Sequence, residues 1–64
     1  MPFYSIYIYD DRYSVPTLDV VVALDDVQAT EMAVEKLSNS SHYLAVEIFE
    51  GERLVYKTHR DAVD

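Results

Sequence analysis

Hydrophobic and polar residues alternate with a period of two along the first part of the chain. Residues 3–9 place Tyr4, Ile6 and Ile8 on one face of a predicted strand. The other face carries Phe3, Ser5, Tyr7 and Tyr9. A polar connection over residues 10–16 follows, and its final proline cannot donate a ladder hydrogen bond, so pairing is expected to resume after it. The second strand is predicted over residues 17–24. Its more apolar face carries Leu18, Val20, Val22 and Leu24, and its less apolar face carries Asp19, Val21 and Ala23.

The period changes at Asp25, where the sequence predicts a helix that continues to Ser38. Asp25 is suited to cap the amide three residues later while Gln28 reaches back to it, as in a capping box. Helical spacing puts one stripe of side chains against the sheet, namely Ala29, Met32, Ala33 and Leu37.

Two further strands are predicted over residues 42–50 and 52–59, around the single glycine of the chain, Gly51. Matching the apolar faces of these strands favours a three-residue loop, because a two-residue turn would offset them. The polar tail, residues 60–64, is expected to fray.

The element order ββαββ predicts an α+β fold in a single domain, residues 1–64. Its simplest form is two-layered, with a four-stranded antiparallel sheet and one helix packed on one face.

Composition supports a folded chain and indicates its compartment. Of the 64 residues, 50% are hydrophobic and 27% are charged, which is enough apolar surface for a core. There is no Cys, so disulfides and Cys-ligated metals are excluded. The N-terminus lacks a basic and apolar leader, and no apolar run is long enough for a membrane span, so we expect a cytoplasmic protein without a membrane partner.

Twelve acidic against five basic side chains give a net charge of -7. A phosphate backbone would be repelled, so we expect no nucleic-acid partner. The same charge suits a basic protein, which leaves open an acidic inhibitor or antitoxin-like mimic of nucleic acid.

Candidate chemistry is sparse, and we expect a non-enzymatic protein without metal or cofactor. The aspartate pairs at positions 10–11 and 25–26 fit a turn and a helix cap better than a calcium loop. No serine stands in a nucleophile motif, and a single glycine excludes a phosphate loop.

One enzymatic alternative rests on Pro2. Removal of Met1 would expose a secondary amine at the start of a strand, in a chain whose size resembles the tautomerase family, whose members use such a proline as general base. Arg12 and Arg53 are the candidate clamps for a substrate carboxylate. The inserted second strand and the short helix depart from that family.

The most informative expectation concerns the sheet face that one helix leaves uncovered. It is predicted to present Phe3, Tyr7, Tyr9, Val21, Tyr43 and Phe49. Aromatic residues are typical interface anchors, which indicates an interface with a second copy, as a homodimer, or with another protein. The alternative is that the connection over residues 10–16 folds across this face.

Two segments carry a resemblance, DDVQA at 25–29 and AVEIFEGERLV at 45–55. They resemble short, acidic, uncharacterised ββαββ proteins of unknown function, many from α-proteobacteria, that begin Met-Pro-x-Tyr. The resemblance implies the same fold and a non-enzymatic role, and it adds no site residue.

Overall fold

A computed structural model describes residues 2–60, and these residues form four strands and one helix in the predicted order. The elements are β1 (Phe3–Asp10), β2 (Thr17–Val22), α1 (Asp26–Leu37), β3 (Tyr43–Glu50) and β4 (Arg53–His59). All neighbouring strands are antiparallel, in the order β2-β1-β3-β4, and α1 packs on one face of the sheet. The predicted two-layer α+β fold is confirmed, with β1 and β3 at its centre.

The core lies between α1 and the two central strands. Its largest fully buried side chains are Tyr4 and Ile6 of β1 and Val46 and Ile48 of β3. The helix contributes small residues: Ala29 and Ala33 are fully buried, and Met32 and Leu37 pack at the margin. The predicted stripe is therefore the one that contacts the sheet, and its alanines let the helix axis lie close to the strands.

Both ends of α1 are capped by side chains. Asp25 Oδ1 accepts a hydrogen bond of 2.9 Å from the backbone N–H of Gln28, as the sequence predicts. Gln28 reaches back one residue further than predicted, because its Oε1 accepts from the backbone N–H of Leu24 at 2.7 Å. These two bonds satisfy donors that the first turn of a helix leaves unpaired.

The C-terminal end of α1 is held by Arg60. Its guanidinium donates to the backbone carbonyls of Leu37, Ser40 and Tyr43. Arg60 is the first residue of the tail that is predicted to fray, and its side chain satisfies carbonyls at the helix end. The rest of that prediction, residues 61–64, lies outside the described residues.

The second hairpin has a two-residue turn, so the predicted three-residue loop is wrong. Glu50 pairs with Arg53, which leaves Gly51 and Glu52 to make the turn, with Gly51 at φ 61°. A bulge recovers the predicted matching only for the later pairs: Leu54 pairs with Phe49, Val55 is an extra residue, and Ile48 then pairs with Tyr56.

Candidate functional site: the open face of the sheet

The sheet face turned away from α1, called here the open face, is the candidate site. Strand alternation and the observed pairing give its members: Phe3, Ser5, Tyr7, Tyr9, Leu18, Val20, Val22, Ala45, Glu47, Phe49, Leu54, Lys57 and His59. Four strands about 4.8 Å apart and about 20 Å long make a surface of about 400 Å². Much of this surface is apolar or aromatic, and exposed side chains of this kind on one face are often functional.

Four of the six predicted interface residues, Phe3, Tyr7, Tyr9 and Phe49, lie on the open face. Tyr7 and Phe49 meet edge to face, with ring centroids 5.7 Å apart and planes at 86°. Phe3 stands at one end of β1 with 66% of its surface exposed, and Tyr9 stands towards the other end. Their role as an interface stays a prediction.

The predicted place of Val21 on this face is wrong. Val21 pairs with Tyr4, and its side chain packs against the core on the helix side. The reason is Ala23, which is fully buried where the chain enters α1, so the odd-numbered positions of β2 turn towards the helix. The even-numbered residues Leu18 and Val20 therefore lie on the open face, 52% and 56% exposed.

The predicted place of Tyr43 is also wrong, because a bulge interrupts β3. Tyr9 pairs with Ala45 but Asp10 pairs with Tyr43, so Leu44 is an extra residue between them. One extra residue reverses the alternation, and Tyr43 packs against the core instead of facing away from it.

Polar chemistry on the open face is concentrated at Tyr9 and Glu47. The Tyr9 hydroxyl donates to Glu47 Oε1 at 2.7 Å, and this hydrogen bond to a carboxylate raises the pKa of Tyr9. Lys57 is paired directly with Glu47 across β3 and β4 in the backbone register. Within residues 2–60, however, Lys57 makes no salt bridge.

Two depressions lie on either side of Tyr9 and Glu47, so the open face is not flat. The first has a volume of about 400 Å³, with Ala45 between Tyr9 and His59. The second, of about 480 Å³, includes Tyr7, Phe49 and Pro16 in its lining. Tyr9 and Glu47 line both depressions and therefore separate them.

The connection over residues 11–16 does not fold across the open face. Only Pro16 reaches the rim of the second depression, while Tyr13 and Val15 are 64% and 72% exposed. Phe3 and Val20 remain exposed. The chain's own connection therefore leaves most of this face uncovered.

The residues of the enzymatic alternative are placed apart or are engaged by other groups. Pro2 is half-buried, and its carbonyl accepts from the N–H of Ala23 at 3.3 Å. Arg12 lies beyond the opposite end of β1 and binds the carboxylate of Asp10. Arg53 is ion-paired with Asp26 and Glu50. Each of the two candidate guanidinium groups is thus occupied by a carboxylate of the chain.

One aspartate of each pair has the structural role that the sequence predicts. Asp25 caps α1, and Asp10 accepts from the backbone N–H of Arg12 at 2.8 Å in the turn after β1. In the described part of the chain, no group of three or more His, Asp or Glu side chains is placed to hold a metal ion.

Comparison with known proteins finds no match to this chain among family models, curated proteins or solved structures. Over residues 2–60, no helix combines the length and the apolar character that a membrane span needs.

Proposed function

We propose that this chain is a non-catalytic protein-interaction module whose open face binds a second copy of the chain. The observation that carries the proposal is the exposure of Leu18, Val20 and Phe3 on one continuous sheet face. Covering apolar surface of this kind is favourable by about 25 cal/mol per Å². A second copy supplies a surface of the same size and composition.

The distribution of charge supports self-association despite the net charge of -7. Three acidic residues of the strands, Asp10, Asp19 and Glu50, lie on the helix side. Glu47 and Lys57 are the charged residues of the four strands that lie on the open face, and their charges cancel. Two copies approaching through this face therefore bring together strands whose charges balance, with Glu52 of the β3–β4 turn as a further acidic residue at the second depression.

The compartment we propose is the cytoplasm. A chain of 64 residues without Cys depends on packing for its stability, in contrast to small secreted domains, which are held by disulfides. Closure of the open face by a second copy would add to that packing.

The proposal is tested with two variants, each of which adds one negative charge to a different side of the molecule. Val20→Glu puts a carboxylate on the open face at a position that is exposed in the single chain, so folding is retained and the dimer dissociates. Val27→Glu makes the same change on α1, where Val27 is 67% exposed, and leaves the dimer intact. Light scattering after gel filtration gives the mass of each variant.

Two results would reject the proposal. One is a wild-type chain with the mass of a single copy at every concentration. The other is dissociation by Val27→Glu while Val20→Glu stays associated.

A further inference from the structure

The edge of the sheet at β2 carries backbone groups that point away from the rest of the sheet. Ala23 donates to the carbonyl of Pro2 at 3.3 Å, and this pair continues the register of β1 and β2. Because hydrogen-bonded and non-hydrogen-bonded pairs alternate along antiparallel strands, the odd-numbered residues of β2 also bond to β1. The N–H and carbonyl groups of Leu18, Val20 and Val22 therefore point outward, where the described part of the chain supplies no strand.

This edge lacks the features that usually protect a sheet edge from pairing, which are lysines, prolines and bulges. The opposite edge strand, β4, has both a lysine, Lys57, and the bulge at Val55. Strand β2 contains neither lysine nor proline, and its register with β1 is uninterrupted. Its one charged residue, Asp19, is held on the helix side by Lys36, whose Nζ lies 2.6 Å from Oδ2. The β2 edge is therefore free to accept a further strand.

We infer that β2 of a second copy occupies this edge, antiparallel and centred on Val20, and joins two four-stranded sheets into one continuous sheet. The register follows from the outward groups. Val20 lies opposite Val20 of the other copy, and Leu18 lies opposite Val22. Each of these pairs exchanges two backbone hydrogen bonds.

The neighbouring registers are less favourable. Centred on Asp19, the two strands would oppose like charges and would place Pro16, which has no N–H, opposite Val22. Centred two residues further along, they would place Leu18 opposite Leu24, which lies outside β2. The register centred on Val20 is the one that uses every outward group of the strand.

A second copy is the occupant because this edge is complementary to itself. Antiparallel pairing of a strand with its own copy has two-fold symmetry and closes after two chains, whereas pairing of β2 with β4 would continue into a filament. The apolar side chains of the two β2 strands become cross-strand neighbours on the open face. Leu18 and Val20, which are more than half exposed at the rim of the single sheet, then lie at the centre of the joined face.

This inference goes beyond the proposed function and is compatible with it. Edge pairing joins the sheets side by side about an axis perpendicular to them, so both open faces point the same way and stay uncovered. The face contact proposed above then joins two such pairs, with Leu18, Val20 and Phe3 near the middle of the covered surface. Both contacts together predict a complex of four copies, and either one alone predicts two.

Amide hydrogen exchange of the wild-type chain, resolved by residue with NMR, tests the edge pairing directly. In a single copy the amides of Leu18, Val20 and Val22 face water and exchange rapidly. As the concentration is raised and the chains associate, their exchange is expected to slow by at least about tenfold.

The internal control is the amide of Lys57 on the opposite edge. Arg60 donates to the carbonyl of Leu44, and alternation from this pair turns the N–H of Lys57 outward from β4. This amide should exchange rapidly at every concentration, because no strand pairs there.

Val20→Pro tests the same hydrogen bonds by mass. It removes the outward N–H of Val20 and keeps the ladder to β1, since proline is accepted at edge positions whose N–H is unpaired. Each edge pair loses two hydrogen bonds, which should weaken this association by about tenfold. Val20→Ala shortens the same side chain but keeps the N–H, so sedimentation should show a smaller loss. If Val20→Pro fails to fold, the exchange measurement on the wild-type chain decides.

The outcomes separate the edge pairing from the proposed face contact. Associated wild-type chains in which the outward amides of β2 exchange as fast as that of Lys57 would overturn the edge pairing and leave the face contact standing. Equal weakening by folded Val20→Pro and Val20→Ala would also overturn it. Protected β2 amides in a complex of only two copies would support the edge pairing and reject the face contact. A wild-type chain that stays single at every concentration would reject both.

Discussion

At the scale of single residues, Asp10 shows how this small protein buries a charge. Its side chain is almost fully buried, and one residue, Arg12, supplies three donors to it: the backbone N–H at 2.8 Å, Nε at 3.0 Å and Nη2 at 2.7 Å. The hydrogen bonds from Arg12 lower the pKa of Asp10 to about 2, against the opposing effect of burial. The guanidinium in turn lies 5.4 Å from the ring centre of Tyr13.

The lowered pKa of Asp10 predicts an acid-sensitive stability. In the unfolded chain this carboxyl has an ordinary pKa of 3.8, so below that pH the unfolded state binds a proton that the folded state does not. The ionised Asp10 carboxylate therefore stabilises the folded state fully above pH 3.8, and this stabilisation is lost as the pH falls through about 2. Asp10→Asn should lower the urea midpoint at pH 7 and make the decline between these two pH values shallower.

The control for this prediction is Glu31→Gln, which removes an exposed carboxylate without a described hydrogen bond and should reproduce the wild-type decline. If Asp10→Asn lost stability at low pH as steeply as wild type, the buried ion pair would not control acid stability.

A second buried group joins three elements through one carboxylate. The hydroxyl of Tyr4 donates to Oδ1 of Asp26 at 2.8 Å, and Arg53 binds both carboxylate oxygens at 3.0 Å. Burial, followed by this hydrogen bond, raises the pKa of Tyr4 to about 12. Hydrogen bonds from Arg53 and then Tyr4 lower the pKa of Asp26. The phenol and the carboxylate therefore keep their ordinary charge states and tie β1, α1 and β4 together.

At the scale of elements, the second hairpin depends on the backbone of Gly51. This residue has φ 61°, and a Cβ added to it would meet no atom within 4 Å. A side chain here would therefore cost only conformational energy, of about 1 kcal/mol for alanine. We predict that Gly51→Ala lowers the free energy of unfolding by about 1 kcal/mol in urea denaturation.

Gly51→Asn is the matched variant, because asparagine tolerates the left-handed conformation. It should lower the free energy of unfolding by less than Gly51→Ala does. Equal stability of Gly51→Ala and wild type would mean that the turn has another conformation.

The elements could be predicted from the sequence because their signals are local. Alternation in residues 3–9, the cap at Asp25 and the single glycine each act over a few neighbours, and all three are found as predicted. The bulges at Leu44 and Val55 could not be predicted, since no glycine marks them and they arise from pairing with distant strands.

The two wrong placements in the candidate site also arise from contacts with distant parts of the chain. A bulge moved Tyr43 to the core, and burial of Ala23 beside α1 turned Val21 towards the helix. Leu18 and Val20 were missed as site residues because alternation alone does not say which face of an edge strand meets the helix. The signal that identifies them is Ala23, a small residue two positions before the helix cap Asp25.

At the scale of the whole molecule, the two sides of the sheet differ in chemistry. The helix side carries the core and the ion pairs of Asp10, Asp19 and Asp26. The open face carries apolar and aromatic residues around one balanced pair, Glu47 and Lys57. This separation is the physical basis of the proposed self-association through one face.

The most direct measurement of the central claim is an isotope-filtered NOE experiment on an equimolar mixture of ¹³C-labelled and unlabelled chains. It detects only contacts between different copies. The account predicts contacts between chains from the methyl groups of Leu18 and Val20 and the ring of Phe3, and none from Val27 on α1. Contacts through Val27, or no contacts between chains at concentrations where the open face should be covered, would contradict it.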